Sequence, residues 1–169
     1  PGTLLNLLLS IIYIKSFVFN VMLKQNLYIG VLEKILTHLK NSKLAYFKAS
    51  DHAVSAEKKR FFNQQGLIRN RFFQDVLTEL QRLGMSSDDL VISRFNFDQL
   101  LISSIDTLKA PAVEKCLHAD QNLLEIYLGL KEFEGSNLNF DKHIEQLEVA
   151  ISLNEKWVSN LTGKRSNSF

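Results

Sequence analysis

Four polar residues stand near the middle of four otherwise apolar helical stripes, and they are the side chains best placed for chemistry. They are Ser42, Gln65, Asp120 and Asn154, with Tyr46 and Tyr127 one or two helical turns away. Burying polar groups costs free energy unless they are paired. Four such groups at similar depths are therefore expected to meet each other, a water molecule or an ion.

A two-metal site at this depth would need a particular set of ligands. In di-iron bundles, two helices each supply a Glu and two supply a Glu-x-x-His pair, because residues three apart share a helix face. No glutamate in this chain is followed by a histidine three residues later. None of the four histidines is expected on a core stripe beside a carboxylate: His38, His52, His118 and His143. Asp120 alone offers too few oxygen ligands for two divalent ions.

Three interpretations of the polar layer stay open. It is a hydrogen-bonded or water-filled layer that needs no cofactor, an atypical iron or manganese site around Asp120, or a set of wrongly assigned helix faces. Cys116 adds no nucleophile, because Cys116 and His118 are two residues apart and face different directions on a helix. We expect Cys116 to be a buried structural residue.

Periodicity predicts the helices that position these residues, with core stripes that include Leu117 and Leu124 on the third helix and Leu161 on the fourth. Apolar residues at three- and four-residue spacing indicate helices over about 26–52, 56–83, 112–134 and 138–161, with a short one over 94–108. Ser55 is expected to cap the second helix and Gly84 to end it. The short first and last links predict two antiparallel hairpins joined by a long crossover. The predicted fold is all-α, a ferritin-like antiparallel four-helix bundle over residues 24–162.

Residues 1–23 form an N-terminal apolar segment, and residues 163–169 are expected to be a polar tail. The run from Leu4 to Leu23 approaches the length of a membrane helix, but Lys15 interrupts it. Three interpretations stay open: a non-native extension before a start at Met22, an apolar helix packed on the bundle or a partner, and a membrane anchor.

Composition excludes some classes of function. A net charge of +2 on 169 residues is too small to predict a nucleic-acid partner. A single cysteine rules out an internal disulfide, which fits a cytoplasmic protein.

Residues 31–160 resemble a bacterial ferritin-like family of unknown function. The matching features are Leu39-Lys40-Asn41-Ser42 leading into Ala45-Tyr46 and Ala49, the Arg71-Phe72-Phe73 run continued by Leu77, Leu80 and Leu83-Gly84, and Asp120 with Tyr127. The resemblance implies a bacterial, cytoplasmic four-helix bundle and brings no established activity. The family pattern has acidic residues near Lys43 and at Asp120 and a histidine near Asn154. Only Asp120 keeps that character here.

The function expected from these residues is non-catalytic. A bundle that has lost the di-iron ligand set would act by protein interaction, as a homodimer or in a stress-related assembly. The alternative is a metal-binding oxidase or storage protein with iron or manganese around Asp120. A membrane is expected as a partner only if residues 1–23 are a native anchor.

Overall fold

The computed structural model describes residues 2–86, 88–90, 111–133 and 138–166. The described residues form helices and turns with no strand, which confirms the all-α class. The helices are α1 (Gly2–His52), α2 (Ala56–Arg82), α3 (Ala112–Gly129) and α4 (Leu138–Ser166), and the 3-10 turn Leu130–Glu132 extends α3. The short helix predicted over 94–108 lies outside the described residues.

The predicted boundaries of α2 are confirmed by its capping bonds. The Ser55 side chain accepts a hydrogen bond from the Lys58 backbone N–H at 3.2 Å. At the other end Gly84 adopts a φ of 90°, and the Met85 N–H returns to the Leu80 carbonyl at 3.1 Å. Only glycine adopts this φ without strain, so Gly84 ends the helix as predicted.

Residues 28–52 of α1 pack with α2, α3 and α4 into a helical body, and α1 is antiparallel to two of its neighbours. Tyr28, near the middle of α1, contacts Glu79 at the end of α2 and Phe133 just after α3. Tyr46, near the end of α1, contacts Phe62 near the start of α2 and Asp120 in α3. Helices α2 and α3 therefore both run antiparallel to α1.

Helix α4 completes the body beside α2 and α3. Its first turns contact Tyr127 of α3 through Phe140, and its later turns contact Phe62 of α2 through Trp157. The end of α2 and the start of α3 thus lie at opposite ends of the body. Residues 83–111 connect those two ends, and Leu90 in this connection is buried in the main core.

The core follows the predicted stripes with local corrections. On α3, Cys116 and Leu123 are fully buried where Leu117 and Leu124 were expected. Asp120 and Tyr127 lie three or four residues from both the expected and the observed core positions. The periodicity therefore did not distinguish the two stripes. Helix α4 also continues to Ser166, past the predicted end at 161 and into the expected polar tail. Leu161, expected in the core, is exposed.

The first helix begins at Gly2, well before the predicted residue 26. No proline follows Pro1 in this region and the first internal glycine is Gly30, so nothing local interrupts the helix. Its large apolar side chains between residues 4 and 27 are 42–73% exposed. The segment does not pack on the described helices. Packing of this apolar helix on a partner stays a prediction, as does a membrane anchor. By length and composition, α1 is the helix among the described residues that could cross a membrane.

Candidate functional site

The Asp120 carboxylate lies at the centre of the body, fully buried on α3, with every acceptor position used. Its Oδ1 accepts hydrogen bonds from Ser42 Oγ at 2.7 Å and Arg69 Nε at 3.1 Å. Its Oδ2 accepts from the Tyr46 hydroxyl and from Arg69 Nη2 at 2.8 Å. A carboxylate offers about four lone-pair positions, so these four donors fill it.

One hydrogen-bond network thereby joins all four helices. Ser42 and Tyr46 are one turn apart on α1, so both reach the same carboxylate. Asn154 on α4 donates from Nδ2 to the Tyr46 hydroxyl oxygen at 2.8 Å. Arg69 supplies the contribution of α2. We call Ser42, Tyr46, Arg69, Asp120 and Asn154 the Asp120 cluster.

Gln65 and Tyr127, also expected in the polar layer, lie outside the Asp120 cluster. Gln65 is only half-buried, and its enclosed Oε1 has no hydrogen-bond partner in the described structure. Tyr127 is fully buried but belongs to a second chain of hydrogen bonds.

That second chain, the Asp75 cluster, joins Asp75, His143 and Tyr127. His143 Nε2 lies 2.8 Å from Asp75 Oδ2, and the Tyr127 hydroxyl lies 2.8 Å from His143 Nδ1. The carboxylate can only accept, so Nε2 carries the proton and Nδ1 accepts from Tyr127. The expectation that no histidine stands on a core face beside a carboxylate was wrong. His143 is 2% exposed, and its partner comes from another helix, which periodicity along α4 does not reveal.

Arg69 is the principal residue that sequence reasoning missed. It is fully buried, and its guanidinium lies 5.2 Å from the centre of the Tyr46 ring and 5.6 Å from that of Phe72. A signal was present, because Gly66, Arg69 and Phe72 are three residues apart on α2. Gly66 also marks a close helix approach, since a Cβ there would lie 2.5 Å from the ring of Phe47.

The environments fix the protonation states of both clusters. Burial opposes the charged form of Arg69, but the charge and hydrogen bonds of Asp120 raise the Arg69 pKa above its ordinary value. Burial, then the Asp120 charge, raises the pKa of Tyr46 well above 10, so its hydroxyl remains a donor. Burial lowers the pKa of His143 more than Asp75 raises it, which favours the neutral ring.

The nucleophile candidate is inert by the same reasoning. Cys116 is fully buried, as predicted. Burial, followed by the nearby charge of Asp120, raises the pKa of its thiol above 9. A thiol held in this form is a poor nucleophile and a poor metal ligand.

In the Asp120 cluster, side-chain donors of the protein fill the acceptor positions of the carboxylate. Among the described residues, no three His, Cys, Asp or Glu side chains come together as they would to bind one ion. At Asp120 the compensating positive charge comes from the Arg69 guanidinium, 2.8 Å away. A metal ion at Asp120 would have to displace this bidentate ion pair.

Comparisons of the chain with models of known families, with curated proteins and with solved structures find no match. The ferritin-like resemblance therefore rests on the residues named from the sequence.

Proposed function

We propose that this chain is a non-catalytic helical bundle of the ferritin-like kind that acts by protein interaction. One observation carries the proposal: the buried carboxylate of the polar layer is occupied by Arg69 through two hydrogen bonds. Ferritin-like metal sites need carboxylates and imidazoles that project freely into the bundle centre. In this chain a fixed side-chain cation stands beside the carboxylate instead.

The connectivity supports the ferritin-like part of the proposal. Helices α1 and α2 form one antiparallel pair, and α3 and α4 form the other. The end of α2 and the start of α3 lie at opposite ends of the helical body, which is the separation that the crossover of a ferritin-like bundle spans.

The competing proposal is an oxidase or storage protein with iron or manganese around Asp120. It is tested by adding Fe(II) to the protein in air and following the appearance of Fe(III). We expect the same rate as in buffer, and no difference for Ser42→Ala, which removes one donor to Asp120. An acceleration that Ser42→Ala or Tyr46→Phe alters would overturn the non-catalytic assignment.

The interaction part of the proposal names a second copy of the chain as the first partner to test. Light scattering with chemical cross-linking should give twice the monomer mass of 19.4 kDa. A mass that stays monomeric at every concentration, with no cross-linked dimer, contradicts the homodimer.

A second candidate function, attachment to a membrane, is favoured by the N-terminal apolar segment. Consecutive residues Leu7, Leu8 and Leu9 are 58%, 50% and 55% exposed. Consecutive side chains point about 100° apart on a helix, so the apolar surface surrounds the axis. A protein groove covers one stripe of a helix, whereas a bilayer covers all sides.

The length of the segment fits the same partner. Leu4 to Leu23 spans about 30 Å at 1.5 Å per residue, which matches the hydrocarbon thickness of a bilayer. Lys15 opposes insertion by about 2.5–3.5 kcal/mol at mid-span, and the surrounding apolar side chains offset it. The helical body would then lie on one side of the membrane, joined to the segment without a break in α1.

Carbonate extraction of membranes from cells that express the full chain tests the attachment. We expect the chain to stay with the membranes, and Leu8→Lys combined with Ile12→Lys to release it. Leu67→Lys is the matched control, because Leu67 is 60% exposed on α2, outside the segment. Release of the unaltered chain, or equal release by the control, contradicts a membrane-spanning segment.

A further inference from the structure

Three buried polar atoms beside the Asp120 cluster have no hydrogen-bond partner within the described part of the chain. They are Arg69 Nη1, Asn154 Oδ1 and Gln65 Oε1. The first can only donate a hydrogen bond, and the two amide oxygens can only accept. Arg69 and Asn154 are fully buried, so their free atoms point into the interior. Unpaired buried groups of this kind are costly, which points to a ligand that satisfies them.

The hydrogen bonds of Tyr46 fix the orientation of the Asn154 amide. The Tyr46 hydroxyl has one proton and gives it to the Asp120 carboxylate. Its oxygen must therefore accept from Asn154, and only the amide nitrogen can donate at that 2.8 Å contact. The Asn154 oxygen consequently faces away from Tyr46 as an acceptor.

The helix register brings the three residues to one level. Gln65 and Arg69 are one turn apart on α2 and share a face. Phe62 of α2 packs against Trp157 of α4 with ring centres 5.6 Å apart, and the two helices are antiparallel. Three residues onward along α2 and three residues back along α4 lead to Gln65 and Asn154. This register places Gln65 of α2 and Asn154 of α4 at the same level of the helical body, one turn from Arg69.

We propose that these three atoms border one space between α2 and α4 and that it binds one water molecule, which accepts from Arg69 Nη1 and donates to Asn154 Oδ1 and Gln65 Oε1. Buried waters typically make about three hydrogen bonds to otherwise unpaired polar groups, and this arrangement supplies three. The guanidinium disfavours a cation there, and the two amide oxygens disfavour an anion. The site uses atoms that the Asp120 hydrogen bonds leave free, so it does not depend on the proposed function.

A crystal structure of the full chain, at a resolution that shows ordered water, tests the site directly. We expect one water within hydrogen-bond distance of all three atoms. Oxygen-17 relaxation dispersion then counts long-lived internal waters in solution. Gln65→Met should lower that count by one, and Gln64→Met should leave it unchanged, because Gln64 is the exposed neighbour on the same helix.

Three results would overturn the site: no density between the three atoms, a protein group in that position, or an unchanged water count in Gln65→Met. If Gln65→Met does not fold, the crystal structure of the unaltered protein decides alone.

Discussion

Asp120 and Asp75 each accept hydrogen bonds in one of the two polar clusters, but the protein holds the two carboxylates differently. Asp120 is fully buried and faces Arg69, also fully buried, at 2.8 Å. The Asp75 side chain is 51% exposed and faces the buried imidazole of His143. A carboxylate without water needs a charged partner, whereas a half-solvated one can use a neutral imidazole. The degree of burial therefore decides which residue must stand opposite.

The largest difference should appear when each carboxylate loses its partner, starting with Arg69. Arg69→Met leaves Asp120 buried without a cation and should lower the free energy of unfolding by about 3–5 kcal/mol. Urea denaturation followed by circular dichroism measures this change. Arg71→Met is the matched control, because Arg71 is exposed on the same helix.

Adding Asp120→Asn to Arg69→Met should recover part of the lost stability, because no unpaired charge then remains. A loss below about 1 kcal/mol in Arg69→Met would mean that Asp120 is not buried as a charge.

Acid should destabilise the protein through two histidines, His143 of the Asp75 cluster and His38, which lies outside both clusters. Burial lowers the pKa of His143 below 6.5, and burial with the nearby Lys34 charge lowers that of His38 to about 4. Below pH 6.5 the unfolded histidines bind protons that the folded ones do not, so stability falls as the pH drops from 7 to 4. The shift of the His38 pKa corresponds to about 3 kcal/mol, and because His38 is only half-buried, solvent screening should leave on the order of 2 kcal/mol.

The measurement is the free energy of unfolding between pH 7 and 4, compared among histidine variants. His38→Gln and His143→Gln should each flatten the curve over this range. His52→Gln is the control variant, because His52 is exposed near the end of α1. Equal slopes in all three variants would contradict a histidine origin and move the acid sensitivity to the carboxylates.

Removing the hydroxyl of each buried tyrosine compares the stability that single hydrogen bonds contribute to the two clusters. Tyr46→Phe removes a donor to Asp120 and the acceptor of Asn154, so we expect a loss of about 1–3 kcal/mol. Tyr127→Phe removes only the donor to His143 and should cost about 1 kcal/mol. Thermal unfolding of both variants gives the ranking, and a larger loss for Tyr127→Phe would reverse the assigned importance of the clusters.

The smallest effect is expected at Asp75. Asp75→Asn keeps an oxygen that can accept from His143 Nε2 and removes a half-exposed charge. The free energy of unfolding should change by less than about 1 kcal/mol. Asp141→Asn, at an exposed aspartate on α4, gives the baseline in the same denaturation experiment. A loss as large as that of Arg69→Met would show that Asp75 carries structural charge.

Features that depend on residues close together in the chain were predicted from the sequence. Ser55 and Gly84 were placed as caps because capping depends on residues a few positions away. Ser42, Asp120 and Asn154 were placed in one layer because each lies on its own helix stripe. The all-α class followed from the same periodicity.

Features that depend on contacts between helices were missed. Arg69 was overlooked because arginine is usually exposed and its partner lies on α3. The pairing of His143 with Asp75 also crosses between helices. A helix over residues 1–23 was among the interpretations, but its continuation into α1 without a break was not predicted. A segment that is apolar on all sides has no amphipathic periodicity from which to place a helix boundary.

Metal content tests the central claim, that Arg69 has taken the place a metal would occupy at Asp120. Protein purified without chelator, then incubated anaerobically with Fe(II) or Mn(II) and desalted, would be measured by elemental analysis. We expect far less than one metal ion per chain and no change in Asp120→Asn. Nearly one ion per chain, lost in Asp120→Asn but kept in Asp141→Asn, would contradict the claim and indicate a metal site around Asp120.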